Sequence, residues 1–86
     1  MVFDEIIGWV TLLEMFRRYN ILMDMAREKF GDEYREKTVS CGKGVFRIKD
    51  IEDAPAAYRF AMTFPLDGVE LSWKDFDEMI ENLKSL

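Results

Sequence analysis

Apolar residues in the first third of the chain fall into two stripes that do not line up. Over residues 2–16, Val2, Ile6, Trp9, Val10, Leu13 and Phe16 recur at helical spacing, with Asp4, Gly8 and Thr11 opposite. That is the pattern of an amphipathic helix. Asp4 suits the N-cap, and Glu5 sits in the first turn, where the helix dipole favours an acid. Downstream, Tyr19, Met23, Ala26, Phe30 and Tyr34 repeat the spacing. On a straight helix, at about 100° per residue, this second stripe is rotated from the first by roughly 100–130°. A kink near Tyr19–Asn20, with Asn20 capping a second helix, would turn both stripes to one core. A straight helix would leave its halves facing different neighbours, one its own fold and the other a partner. The pattern leaves both open. Gly31 costs about 1 kcal/mol inside a helix. Tyr34 nevertheless continues the stripe, so the helix is expected to reach about Glu36.

Beyond residue 37 the period changes. Thr38, Val39, Val45, Phe46 and Ile48 favour strands, and Gly42-Lys43-Gly44 between them reads as a hairpin turn. On the second strand Phe46 and Ile48 share one face, and Val45, Arg47 and Lys49 the other. Residues 50–55 read as a loop. In residues 56–64, Tyr58, Phe60, Met62 and Phe64 alternate as a strand does, although Pro55 followed by two alanines would also suit a short helix. A strand is preferred, because PLDG is turn chemistry and VELS is its natural return. Ser72 then caps a last helix, with Asp75 three residues on. Trp73, Phe76, Met79, Ile80, Leu83 and Leu86 form its stripe. The expected architecture is α+β in a single domain over residues 1–86: a long N-terminal helix, kinked or straight, a four-stranded antiparallel meander and a C-terminal helix.

Charge adds a local feature. The 86 residues carry a net charge of −5, unevenly spread. Residues 35–49 hold five bases against one acid, and residues 50–86 hold nine acids against three bases. The basic row Lys37, Lys43, Arg47 and Lys49 therefore stands on an otherwise acidic chain. With Tyr58 as a stacking surface it could contact single-stranded nucleic acid, but the acidic background makes this the secondary reading.

Candidate chemistry is sparse. There is no histidine, which removes the usual general base near neutral pH and the commonest zinc ligand. The one cysteine, Cys41, has no partner for an internal disulfide and reads as a small strand hydrophobe, suited to a reducing cytoplasm. CGKG lacks the spacing of a phosphate-binding loop and does not lead into a helix. Asp75, Asp77, Glu78 and Glu81 read as a solvated helix face. No enzyme, cofactor, metal site, membrane span or secretory signal is expected.

What remains is the first helix. Leaving Met1 aside, ten of its first sixteen positions are large and apolar, more than one facing sheet covers. The chain is therefore expected to be a binding or regulatory module, either a homodimer or an accessory or inhibitor subunit. Ile6, Trp9, Leu13 and Phe16 would form its interface, with Arg17 and Arg18 as a charged rim that could meet the acidic C-terminal helix of another subunit.

Overall fold

In a computed structural model of the chain, the described backbone begins at Phe3 and the described side chains at Leu13. The first element, α1 (Phe3–Phe30), is one uninterrupted α-helix of 28 residues, about 42 Å long at 1.5 Å per residue. Asn20 lies in its interior and caps nothing, so the kinked alternative does not apply. The downstream stripe enters the core. Tyr19, Met23 and Ala26 are buried, joined by Met15 and Leu22, while Phe30 and Tyr34 pack at its edge. Helical structure reaches Glu36, but at Gly31 the α-helix gives way to a 3₁₀-helix (Gly31–Glu36). Gly31 has φ of 66°, the left-handed geometry that ends an α-helix and that glycine adopts without steric cost.

The four strands form two separate two-stranded sheets rather than one meander. β1 (Thr38–Cys41) pairs antiparallel with β2 (Gly44–Arg47), Val39 opposite Phe46. β3 (Phe64–Leu66) pairs with β4 (Val69–Leu71), Phe64 opposite Leu71. The second turn is Asp67-Gly68, with φ of 52° and 79°, the doubly positive geometry that an Asp-Gly hairpin favours.

The segment between the hairpins departs from expectation. Ile48 does not continue β2; it opens α2 (Ile48–Asp53), in place of the loop over 50–55. Ile48 and Ile51 are both fully buried, and a spacing of three puts them on one side of a helical turn. Residues 56–60 form a second 3₁₀-helix (Ala56–Phe60), not a strand. The alternating aromatics there serve different surfaces: Tyr58 packs on the core, whereas Phe60 and Met62 are exposed.

The last helix, α3 (Trp73–Lys84), begins with a complete capping box between Ser72 and Asp75. Phe76, Met79, Ile80 and Leu83 are buried as its stripe requires; Leu86 lies past the helix end and is exposed. α3 runs beside α1 in the same direction. Arg18 meets Asp77 near the start of α3, and Lys29 donates to the Leu83 carbonyl near its end at 2.6 Å. Phe64 lies at the centre of the core, with its ring centroid 5.2 Å from that of Phe76, 5.6 Å from Tyr58 and 6.5 Å from Tyr19. Among the described residues no polar or charged side chain is buried, and no helix is long and apolar enough to cross a membrane.

Candidate protein-interaction surface

A straight α1 has two sides with different fates. The side bearing Met15, Tyr19, Leu22 and Ala26 is sealed by α3, α2 and the second 3₁₀-helix, with Phe64 of β3 against Tyr19. On the other side Leu13 and Ile21 keep 42% and 41% of their surface exposed. Between them runs a shallow groove of about 350 Å³ lined by Leu13, Phe16, Arg17, Asn20, Ile21 and Asp24. Phe16 is half-buried and stacks on Phe60, with centroids 5.0 Å apart and planes 16° from parallel. Phe60, itself 48% exposed, thus extends the apolar flank of the groove. The side chains of Ile6 and Trp9, the other two expected interface residues, lie outside the described residues.

The two arginines expected to form one rim are separated by the helical turn. Arg17 stays on the groove, largely exposed, and among the described residues makes a 3.6 Å contact to Glu14. Arg18 points to the opposite quarter of the helix. It pairs with Glu14, donates to Asp77 at 2.6 Å and covers the Trp73 ring at 4.8 Å. It therefore ties α1 to its own α3 rather than offering charge to another subunit.

Beside the groove, Arg59 lies over the Tyr19 ring at 4.1 Å, and its Nε is buried with no hydrogen-bond partner among the described residues. Burial raises the Tyr19 phenol above its ordinary pKa, with the Arg59 charge opposing it.

The basic row is dispersed by the fold. Lys43 bonds to Asp75 at 2.9 Å and to the Glu70 carbonyl at 2.7 Å, joining the first hairpin to the second and to α3. Burial disfavours the Asp75 charge. Hydrogen bonds from the Ser72 backbone and from Lys43 outweigh this and hold the carboxyl below its usual pKa. Lys37 lies 5.8 Å over the Phe30 ring. Arg47 and Lys49 are not strand neighbours, because the chain turns helical between them. They line one open groove of about 690 Å³ with Arg35 and Thr38, but Asp32, Glu33 and Glu36 line it too. Three acids thus face three bases, and no field for a polyanion results.

The acids of α3 divide: Glu78 and Glu81 are exposed as a solvated face, but Asp75 and Asp77 are engaged within the fold. Asp75 caps the helix and Asp77 holds Arg18, while Glu81 pairs with Lys84 at 3.4 Å. A further network escaped the sequence reading because its members are distant along the chain. Glu52 of α2 accepts from the Tyr34 hydroxyl at 2.6 Å, from Arg27 at 2.9 Å and from Arg35. Burial opposes the Glu52 charge, but the bonds from Tyr34, Arg35 and Arg27 hold its pKa below the ordinary value. Cys41 is half-buried against the core. Among the described residues no group of three or more histidine, cysteine or acidic side chains is placed to hold a metal ion.

Of the groove residues, Ile21 and Asp24 were not singled out from the sequence, and Asn20 was read as the cap at a kink rather than as a surface residue. Their signal was the phase jump itself: continuing the first stripe along a straight helix leads to Asn20 and Asp24. Compared with known proteins, the chain matches no family model, no curated protein and no solved structure.

Proposed function

We propose that the chain is a non-enzymatic protein-binding module of the cytoplasm, with the outward side of α1 as its docking surface. One observation carries this reading: a single straight helix buries one stripe in its own core while Leu13, Phe16 and Ile21 line a groove on the other side. An apolar helix face that its own fold leaves open is the usual geometry for helix-to-helix docking. The partner is a second copy or a larger protein for which this chain is an accessory or inhibitory subunit.

The test pairs two measurements on the Leu13→Lys/Ile21→Lys variant and the parent chain. A docking surface predicts that the dilute chains melt at the same temperature and that association seen for the parent at high concentration is lost. A face needed for folding would instead lower the melting temperature of the dilute variant by many degrees, and that result would overturn the proposal.

A further inference from the structure

We infer that the outer edge of β2 is a second docking site, separate from the α1 groove, and that its occupant is an extended acidic segment of a partner protein, added to the first hairpin as a third strand. The Ile48 N–H donates to the Lys37 carbonyl at 2.9 Å, which fixes the backbone groups that pair inside the hairpin. Pairing alternates along an antiparallel ladder. In the observed register it falls to Val39 with Phe46 and to Cys41 with Gly44. The N–H and C=O groups of Thr38 and Ser40 therefore point out of β1, and those of Val45 and Arg47 point out of β2.

Outward backbone groups on an edge strand are a template for another chain. Three of the four edges are closed. α3 packs along β1, and the Asn82 side chain donates to the Ser40 carbonyl at 2.7 Å. On β3 the outward position is Pro65, opposite Glu70, and proline has no N–H to offer. On β4 the outward position is Glu70, whose carbonyl accepts from Lys43 at 2.7 Å. β2 stays open. Among the described residues the Val45 N–H and C=O and the Arg47 N–H have no hydrogen-bond partner, and Val45 keeps 66% of its surface exposed. The Arg47 carbonyl is committed to α2, for which Arg47 is the N-cap. An antiparallel strand laid about 4.8 Å beyond β2 completes the open groups. The residue opposite Val45 exchanges both bonds with it, and the Arg47 N–H donates to the carbonyl two residues earlier in the incoming strand.

Charge selects the occupant. Arg47 is exposed and makes no ion pair among the described residues, and exposed Lys49 follows it. A second copy fits badly. Its β2 meets this one either with Val45 opposite Val45, which sets Arg47 across from the partner's Lys43, or with Val45 opposite Arg47, which sets the two Arg47 side chains on one diagonal. Like charges meet in both registers. A strand with an aspartate or glutamate two residues before the one opposite Val45 sets that carboxylate across from Arg47 instead. Asp32, Glu33 and Glu36 share a groove with Arg47 and Lys49. They belong to the 3₁₀-helix that leads into β1, and β1 lies on the opposite side of β2 from the added strand.

The probe is a short blocked peptide of alternating valine and threonine, with one glutamate two residues before its central valine. It is titrated into the full chain and followed by the amide resonances. The Val45 and Arg47 amide protons are expected to shift and to exchange more slowly with solvent as the peptide is added. Lysine in place of the glutamate is expected to weaken binding roughly threefold to tenfold. Arg47→Glu, with an unchanged melting temperature, reverses that preference. No shift at Val45 and Arg47 with millimolar peptide would overturn the site, and equal affinity for the two peptides would overturn the acidic occupant. Shifts confined to Leu13, Phe16 and Ile21 would also overturn the site while leaving the α1 groove as a docking surface. Slowed Val45 exchange without peptide, growing with concentration as the 10.2 kDa mass doubles, would put a second copy on the edge and overturn the choice of partner.

Discussion

Glu52→Gln is the sharpest probe of how the fold is held together outside its apolar core. Glutamine keeps the shape of the side chain and one carbonyl acceptor for the Tyr34 hydroxyl, now 2.6 Å from Glu52. It removes the negative charge facing Arg27 and Arg35. Glu52 keeps only 16% of its side-chain surface exposed, whereas Arg27 and Arg35 keep 50% and 37%. Bonds to a charged group contribute up to about 3 kcal/mol when sheltered, but half-exposed arginines are screened by water, so the loss discounts to about 1–2 kcal/mol. For a domain of this size that is a fall in Tm of roughly 5–15 °C. The sign with pH follows from the direction of the shift. The Glu52 pKa is lowered by folding, so its contribution is present above the unfolded value of about 4.5 and is lost as pH falls through the folded value. Thermal melts of both chains at pH 7 and again well below pH 4 measure this. The gap in Tm is expected to close in acid, where the native carboxyl is itself neutral. An equal gap at both pH values would show that the charge is not what the network uses.

Other outcomes follow from particular contacts. Phe64→Ala removes a fully buried ring touching three other aromatics and should cost about 3–5 kcal/mol in urea titration, with Phe64→Leu retaining much of that; near-equal losses would contradict the packing. Asn20→Pro, in the interior of a straight α1, should cost about 3 kcal/mol or more; a tolerated proline would mean that the helix is interrupted there after all. Gly31→Ala meets open space but must hold φ of 66°, so about 1 kcal/mol of destabilisation from backbone strain alone is expected. Ser72→Ala breaks the capping box of α3 and should lower stability by about 1 kcal/mol.

The local code of this chain was enough to determine its elements wherever one short-range signal was uncontested. Ser72 and Asp75 marked the start of α3, the Asp67-Gly68 pair marked a hairpin, and the 3–4 spacing from Tyr19 to Ala26 marked the core side of α1. It failed where two signals compete over the same few residues. Ile48 reads as the end of a strand, but with Ile51 three residues on it opens a helical turn, and the position of Ile51 against the core decides. The alternation through Tyr58, Phe60 and Met62 reads as a strand, yet Arg59 and Phe60 are drawn onto Tyr19 and Phe16 of α1, forty or more residues earlier in sequence. The candidate surface divides in the same way. Leu13, Phe16 and Arg17 were visible as a stripe out of phase with the core. That Arg18 turns inward to Asp77, that Lys43 is consumed by Asp75, and that Phe60 completes the apolar flank were not visible. Periodicity fixes which side of a helix a residue occupies, because that depends only on the geometry of the helix itself. What stands against that side depends on how distant segments pack, and no local pattern records it.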